Sequence, residues 1–157
     1  KPKVRSENYL RKKLKNYIII RTNFFGIDKK FNKKNFLEMI LRCLKQRINI
    51  YLFNDVYYNP ISIKVLASTI NKLLKIDYRG TINISGNDRI SKYMFGKKVS
   101  KVFRLNDNLI KKISIDKVKK LVRRPKDMSL SNKKLSSLGI KIKSLNLQLK
   151  DLYELKW

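Results

Sequence analysis

Arg21, Thr22 and Asn23 follow directly on the apolar run Tyr17-Ile18-Ile19-Ile20, and Phe24-Phe25-Gly26 follow them. A short β-branched run without alternation reads as a strand buried on both faces, as in a parallel sheet. In open α/β sheets ligands bind at the carboxyl ends of strands. A guanidinium, a hydroxyl and a carboxamide therefore stand where a ligand would be held. The alternative is a plain core strand with a polar exit turn. Composition excludes several other chemistries. With no histidine in the chain, zinc sites and His-based triads are out. With Cys43 as the single cysteine, so are an internal disulfide and a cysteine-cluster metal site, and no metal site is expected.

The elements that must position these residues alternate between helix and strand. Lys1 to Lys15 reads as the later part of a helix, with Val4, Leu10 and Leu14 at helical spacing. A second helix is expected over Lys33 to Arg47, with Phe36, Ile40, Cys43 and Leu44 on one face. Ile48 to Phe53 reads as a strand. Ser62 is placed to cap a helix to about Leu74, and Ser91 one to about Phe103, with Met94, Val99 and Val102 inward. Gly80 to Ser85 is a strand closed by Gly86-Asn87-Asp88. Beyond Leu105, Ile113-Ser114-Ile115 reads as a strand and Asp116 to Leu121 as a short helix. Arg123-Arg124-Pro125 reads as a basic turn. Ser131 to Leu138 is a short helix with Gly139 as its left-handed cap, and Leu145 to Leu155 a last helix. The class is α/β. No Gly-rich phosphate loop occurs, so an α/β nucleotide enzyme is expected to be incomplete in this chain, which also begins at Lys1 without a methionine.

The 157 residues are 43% hydrophobic and 32% charged, the balance of one folded domain. No apolar run approaches the roughly 20 residues of a membrane span. Lys+Arg number 39 against 11 Asp+Glu, a net charge of +28. Such an excess raises nucleic acid as a partner, but the cations are spread along the chain, and a solvated basic surface that attracts anionic ligands such as nucleotide sugars is the preferred reading.

Taken together, the segments resemble the C-terminal half of an extended short-chain dehydrogenase/reductase, most closely the dTDP-4-dehydrorhamnose reductase family and its sugar-nucleotide reductase relatives. Lys1-Pro2-Lys3-Val4-Arg5-Ser6-Glu7 looks like the tail of the family's Tyr-x-x-x-Lys helix, whose Lys is followed four residues on by Glu. Tyr17 to Gly26 looks like its "IIRTxxxxG" strand, and Asp55 to Ala67 like its "DQxGxPTxxxxLA" loop and helix. Gly80 to Phe95 looks like "GIYHISGxxxISxYEF". Arg124-Pro125, Ser129-Leu130 and Lys134-Leu135 look like "RPxxSxLxxxKL".

The resemblance implies the C-terminal part of a Rossmann-type fold with its small substrate-binding subdomain. Residues 1–157 would form a single partial domain, with the N-terminal dinucleotide-binding part absent. It implies hydride transfer from NADPH or NADH to the keto group of a nucleotide sugar, with a Tyr as proton donor, in a cytoplasmic enzyme of polysaccharide biosynthesis. Lys3 matches the catalytic Lys, which contacts the nicotinamide ribose and lowers the Tyr pKa, as a nearby cation does. The Tyr partner would lie upstream of Lys1. Thr22 and Asn23 match positions near the cofactor, and Asn23, Phe24 and Arg124 positions near the substrate. An amide donates to a phosphate and accepts from a sugar hydroxyl, an aromatic covers a sugar face, and a guanidinium pairs with a diphosphate. Phe24 as plain core and Arg124 as a structural ion pair remain open alternatives. The chain alone is expected to be inactive and to fold poorly. Nucleic acid is disfavoured as a partner, and a homodimer is left open.

The second loop departs from the pattern. Val56, Tyr58 and Ile61 stand where the family has Gln, Gly and Thr, and only Asp55 and Pro60 remain. That keeps open another nucleotide sugar, an epimerase or dehydratase of the same superfamily, and a non-catalytic binding module on the same fold.

Overall fold

The Tyr17 to Gly26 stretch forms two strands, β1 (Ile18–Thr22) and β2 (Phe24–Phe25), in a computed structural model that describes residues 2–27, 35–118 and 125–155. Ahead of them stands helix α1 (Pro2–Lys13). After them come α2 (Phe36–Lys45), β3 (Ile50–Phe53), β4 (Tyr57–Tyr58), β5 (Ile61–Ser62) and α3 (Ile63–Lys75). The chain continues through β6 (Gly80–Ile84), β7 (Ile90–Ser91), α4 (Lys92–Val102), β8 (Ile110–Ile113), α5 (Lys133–Ser137) and α6 (Leu145–Glu154).

Pairing is mainly parallel, as the α/β pattern requires. β1 runs alongside β6 from Ile18↔Gly80 to Thr22↔Ile84, and β3 alongside β8 from Ile50↔Ile110 to Phe53↔Ile113. β2 pairs in parallel with β5, and β4 antiparallel with β7.

Two apolar clusters hold the elements together. One gathers Leu37, Ile40, Leu41 and Leu44 of α2, Leu52 of β3, Phe95 and Val99 of α4, and Leu145 and Leu149 of α6. Phe95 is at its centre, with ring centroids 5.4 Å from Phe25, 5.8 Å from Phe36 and 5.8 Å from Tyr58. The other joins Leu66 and Leu73 of α3, Ile82 and Ile84 of β6, and Leu135 of α5 with Ile140 and Ile142. Gln148, buried on α6, links them: its Oε1 accepts from the Ser62 N–H at 2.7 Å and its Nε2 donates to the Lys143 carbonyl at 2.7 Å.

The expected caps are present. Ser62 Oγ accepts from Val65 N, Ser91 Oγ accepts from Met94 N, and Gly139 takes φ +72° behind α5.

Several expectations are corrected. β1 is not buried on both faces: only Ile19 is fully buried, with Ile18 and Ile20 half-covered beside the second cluster. α1 buries no residue, so Val4, Leu10 and Leu14 meet no core among the described residues. Val99 is buried and Val102 packs against the core as expected, but Met94 is 46% exposed, and Phe95, Gly96 and Ser100 complete the inward face of α4. The second helix begins at Phe36 because Asn35 and Glu38 form a capping box. The third strand begins at Ile50, since Arg47 takes φ +57° and Ile48 is still in the turn. The late strand is Ile110–Ile113, not 113–115. The Asp55 carboxylate accepts from Ser114 Oγ at 2.6 Å and Ile115 N at 2.9 Å, which draws the chain off the sheet into a 3-10 turn over Ile115–Lys117. Of the helix expected over 116–121, residues 119–121 lie outside the described residues.

Candidate functional site

Side chains alternate across β1, so Ile19 and Arg21 share one face while Ile18, Ile20 and Thr22 share the other. The first face meets α1. There Arg21 closes on Glu7 through Nε to Oε1 at 3.0 Å and Nη2 to Oε2 at 2.6 Å. Arg11 Nη2 reaches the same Oε2 at 3.1 Å and donates to Thr81 Oγ1 of β6 at 3.0 Å. The hydrogen bond from Arg21 holds the Glu7 carboxyl below its ordinary pKa, and Glu7 in turn raises Arg21. Arg21 is thereby committed to holding α1 against β1. Lys3 stands one turn before Glu7 on the same stripe of α1.

At the carboxyl end of β1 the geometry changes. Thr22 Oγ1 is buried and has no hydrogen-bond partner. Buried hydroxyls are ordinarily satisfied; among the described residues those of Thr22 and Tyr58 are not. Asn23 uses its backbone carbonyl to accept from Ile61 N at 3.0 Å, and its Nδ2 donates to the Met128 carbonyl at 2.8 Å. Among the described residues its Oδ1 accepts nothing. Phe24 and Phe25 part company: Phe25 is buried against Phe95, whereas Phe24 is 60% exposed. Arg124 lies outside the described residues.

The segment 125–132 is bound to these strand ends by a ladder of carboxamides. Asn59 Nδ2 donates to the Leu130 carbonyl at 2.7 Å, and Leu130 N donates back to Asn59 Oδ1 at 2.9 Å. Asn83 Nδ2 donates to the Ser131 carbonyl at 3.1 Å. Asn132 accepts from Ser85 N at 3.1 Å and donates to the Ser85 carbonyl at 2.7 Å. Tyr57 exchanges backbone bonds with Lys126 and Met128. Arg89 lies 4.1 Å over the Tyr57 ring and grips Asp127 Oδ2 through Nη2 at 2.8 Å. Asp127 also accepts from Ser129 Oγ and N, and these bonds, with Arg89, lower its pKa to about 2.

Sequence reasoning missed Asn59, Asn83, Asn132 and the Arg89–Asp127 pair as organisers of the site. Their only available signal was position: each asparagine lies in or next to a segment carrying the family resemblance. Asp55, which survives from the second loop, turns out to be an anchor. Burial pushes its carboxyl up, but the bonds from Ser114 and Ile115 outweigh that and leave it below its ordinary value.

The parallel pairs β1–β6 and β3–β8 in an α/β frame give the chain a Rossmann-type fold, with the Thr22 hydroxyl, the Asn23 carboxamide and the Phe24 ring at the β1–β2 junction. More particularly, the chain belongs to the RmlD substrate binding domain family, which it matches over residues 1–156.

Solved structures agree on the fold. A dTDP-4-dehydrorhamnose reductase from Bacillus anthracis in complex with NADP superposes with a TM-score of 0.88 at 23% identity, over 98% of this chain and 54% of that one. A dTDP-4-dehydrorhamnose reductase from Clostridium acetobutylicum gives 0.86 at 21%, over 98% and 53%. A dTDP-glucose 4,6-dehydratase from Bacillus anthracis in complex with NAD gives 0.73 at 11%, over 97% and 48%. The chain thus spans about half the length of these proteins. No curated protein sequence matches it significantly.

Proposed function

We propose that this chain is the substrate-binding part of an NAD(P)H-dependent nucleotide-sugar reductase that reduces a 4-keto sugar nucleotide. The observation that carries the reading is the junction of β1 and β2, where the orphaned Thr22 hydroxyl, the Asn23 carboxamide and the exposed Phe24 ring stand together. It is supported by membership of the RmlD substrate binding domain family and by likeness in fold to reductases, one of them in complex with NADP.

These residues fit a nicotinamide cofactor and a sugar. A nicotinamide carboxamide or ribose hydroxyl would complete the bonding of Thr22. Asn23 Oδ1 would accept from a hydroxyl of the cofactor or the sugar, and Phe24 would cover a sugar face. The bound dinucleotide supplies the hydride. Lys3 would hydrogen-bond the nicotinamide ribose and stabilise the phenolate form of a partner Tyr, which gives its proton to the reduced carbonyl. Arg124 would pair with the diphosphate. The nucleotide-linked substrate and cofactor suit a cytoplasmic setting, and among the described residues no helix is long and apolar enough to cross a membrane. Because the reading needs a dinucleotide loop and a Tyr, this chain by itself would be inactive.

The test is NADPH oxidation by the full-length protein with dTDP-4-dehydro-6-deoxy-sugars. Turnover to the reduced sugar, falling by at least about 100-fold in Lys3→Met, is the expected result. Conversion of a nucleotide sugar without net consumption of NADPH would instead assign an epimerase or dehydratase. Ligand binding without turnover would assign a binding module.

A further inference from the structure

Away from the strand ends, α4 and α6 enclose a hollow of about 660 Å³. The two walls follow from helical spacing. Lys98 and Lys101 are three apart on α4, and Arg104 follows just past its C-cap with φ +55°. Asn146, Lys150 and Tyr153, spaced by four and three, form one stripe of α6. All six line the hollow, and its only acid is Glu154.

Among the described residues these cations form no ion pair: Lys101, Arg104 and Lys150 have no carboxylate within ion-pair distance. Lys97, next along α4, is paired with Asp107, and Lys143 holds Asp151 on another face of α6. Glu154 lies four residues after Lys150, at the spacing of an intrahelical pair, yet the pair is not formed. Lys98 Nζ donates to Asn146 Oδ1 at 3.1 Å, so the wall-to-wall contact is with a neutral group and leaves the ammonium charge uncompensated. Tyr153 is braced edge-on by Phe103, with centroids 5.5 Å apart and planes at 81°.

One structural role open to Lys101 and Arg104 is to complement the α4 C-terminus. It does not cover Lys98, in the middle of α4, or Lys150 and Tyr153, on the opposite wall. Four positive groups, an amide and a braced aromatic ring around a concave space of ligand size form a receptor for a compact polyanion.

We propose that the α4–α6 hollow is an oligophosphate-binding site, taking a nucleoside triphosphate or an inorganic oligophosphate, separate from the strand-end site and independent of its assignment. Lys98, Lys101, Arg104 and Lys150 bind the phosphates, the Asn146 amide donates to one of their oxygens, and Tyr153 offers its ring to a base.

The test is titration of the full-length protein with ATP and with sodium tripolyphosphate at constant ionic strength, followed by calorimetry and by backbone amide shifts. Saturable one-site binding of either probe, with shifts confined to α4 and α6, is expected. The doubly reversed variant Lys101→Glu/Lys150→Glu binds at least about tenfold more weakly. The control Lys72→Glu/Lys75→Glu, with the same charge change on α3, binds as before. If ATP is held about tenfold tighter than tripolyphosphate and Tyr153→Leu removes the difference, the ligand is a nucleotide. Equal affinities assign an inorganic oligophosphate. Absence of binding, shifts spread over the whole surface, or equal weakening in both charge variants would overturn the proposal. Circular dichroism of each variant keeps loss of folding apart from loss of the site.

Discussion

Glu7 and Arg21 form a two-point ion pair across the gap between α1 and β1, at 3.0 Å and 2.6 Å. Because α1 buries no side chain, this pair and the Arg11–Thr81 bond are what the described residues offer to hold the helix. Glu7→Gln should therefore raise amide exchange in α1 well above that in β6, with little change in the core. The Glu7 carboxyl titrates below its unfolded value, so its contribution is present above about pH 4.3 and is lost as pH falls through the folded pKa. Exchange rates in α1 that ignore both the substitution and acid would refute the clamp.

Asn59 is 5% exposed and gives both its donor and its acceptor to Leu130. Replacing it with Ala leaves the Leu130 N–H unpaired and its C=O with only the longer 3.3 Å bond from Ser85 Oγ, a loss of about 1–3 kcal/mol. Denaturant unfolding should report that destabilisation, and the amides of 128–132 should lose protection first.

Gly86 lies against the Pro60 carbonyl so closely that an added Cβ would sit 2.1 Å from its oxygen. Both partners are backbone, so neither can rotate away. Gly86→Ala should cost about 1–3 kcal/mol, as overpacking does, and should displace Ser85 from Asn132. A melting temperature equal to that of the parent chain would contradict the close approach.

Tyr58 is buried with its hydroxyl unpartnered, and burial pushes its pKa well above 10. The unfolded chain ionises this phenol near pH 10, so stability is intact below that value and falls as pH rises towards the folded pKa. Tyr58→Phe should be neutral or stabilising by about 1 kcal/mol and should shift the alkaline unfolding midpoint upward. Tyr58→Ala, which empties the space beside Phe95, should cost about 3–5 kcal/mol. A marked loss on Tyr58→Phe would reveal a partner for the hydroxyl.

Asp127, with a pKa of about 2, keeps Ser129 bonded down to strongly acid pH. The Ser129 amide resonance should titrate near that value, and the midpoint should move upward in Arg89→Gln. The contribution of this carboxylate is present above about pH 4 and is lost as pH falls towards 2.

Much of the frame was legible because its signals are local. Ser62 and Ser91 reveal helix starts within one turn, Gly139 reveals a helix end, and the Ile18-Ile19-Ile20 run reveals a strand. The errors arose where a distant residue decides. Asp55 removes Ser114 and Ile115 from the sheet across 59 residues of chain, and nothing near Ile113 announces it. Asn23 meets Met128 across 105 residues, so its commitment was invisible, as was that of Arg21 to Glu7. Phe24 and Phe25 are chemically alike, and only their register opposite Ile61 and Ser62 sends one outward and the other into the core. The orphaned Thr22 hydroxyl is a property of packing with no sequence signature.

Gln148 gives the two apolar clusters a mechanical meaning. Each cluster could swell by itself, and the carboxamide that spans from α6 to the start of α3 is a rivet between them. With it, breathing in one half is transmitted to the helix that begins at Ser62, close to the junction of β1 and β2. Cut at that point, the two halves would be left with the β2–β5 pairing and the packing of α6 on β5, and their fluctuations would be less tightly shared.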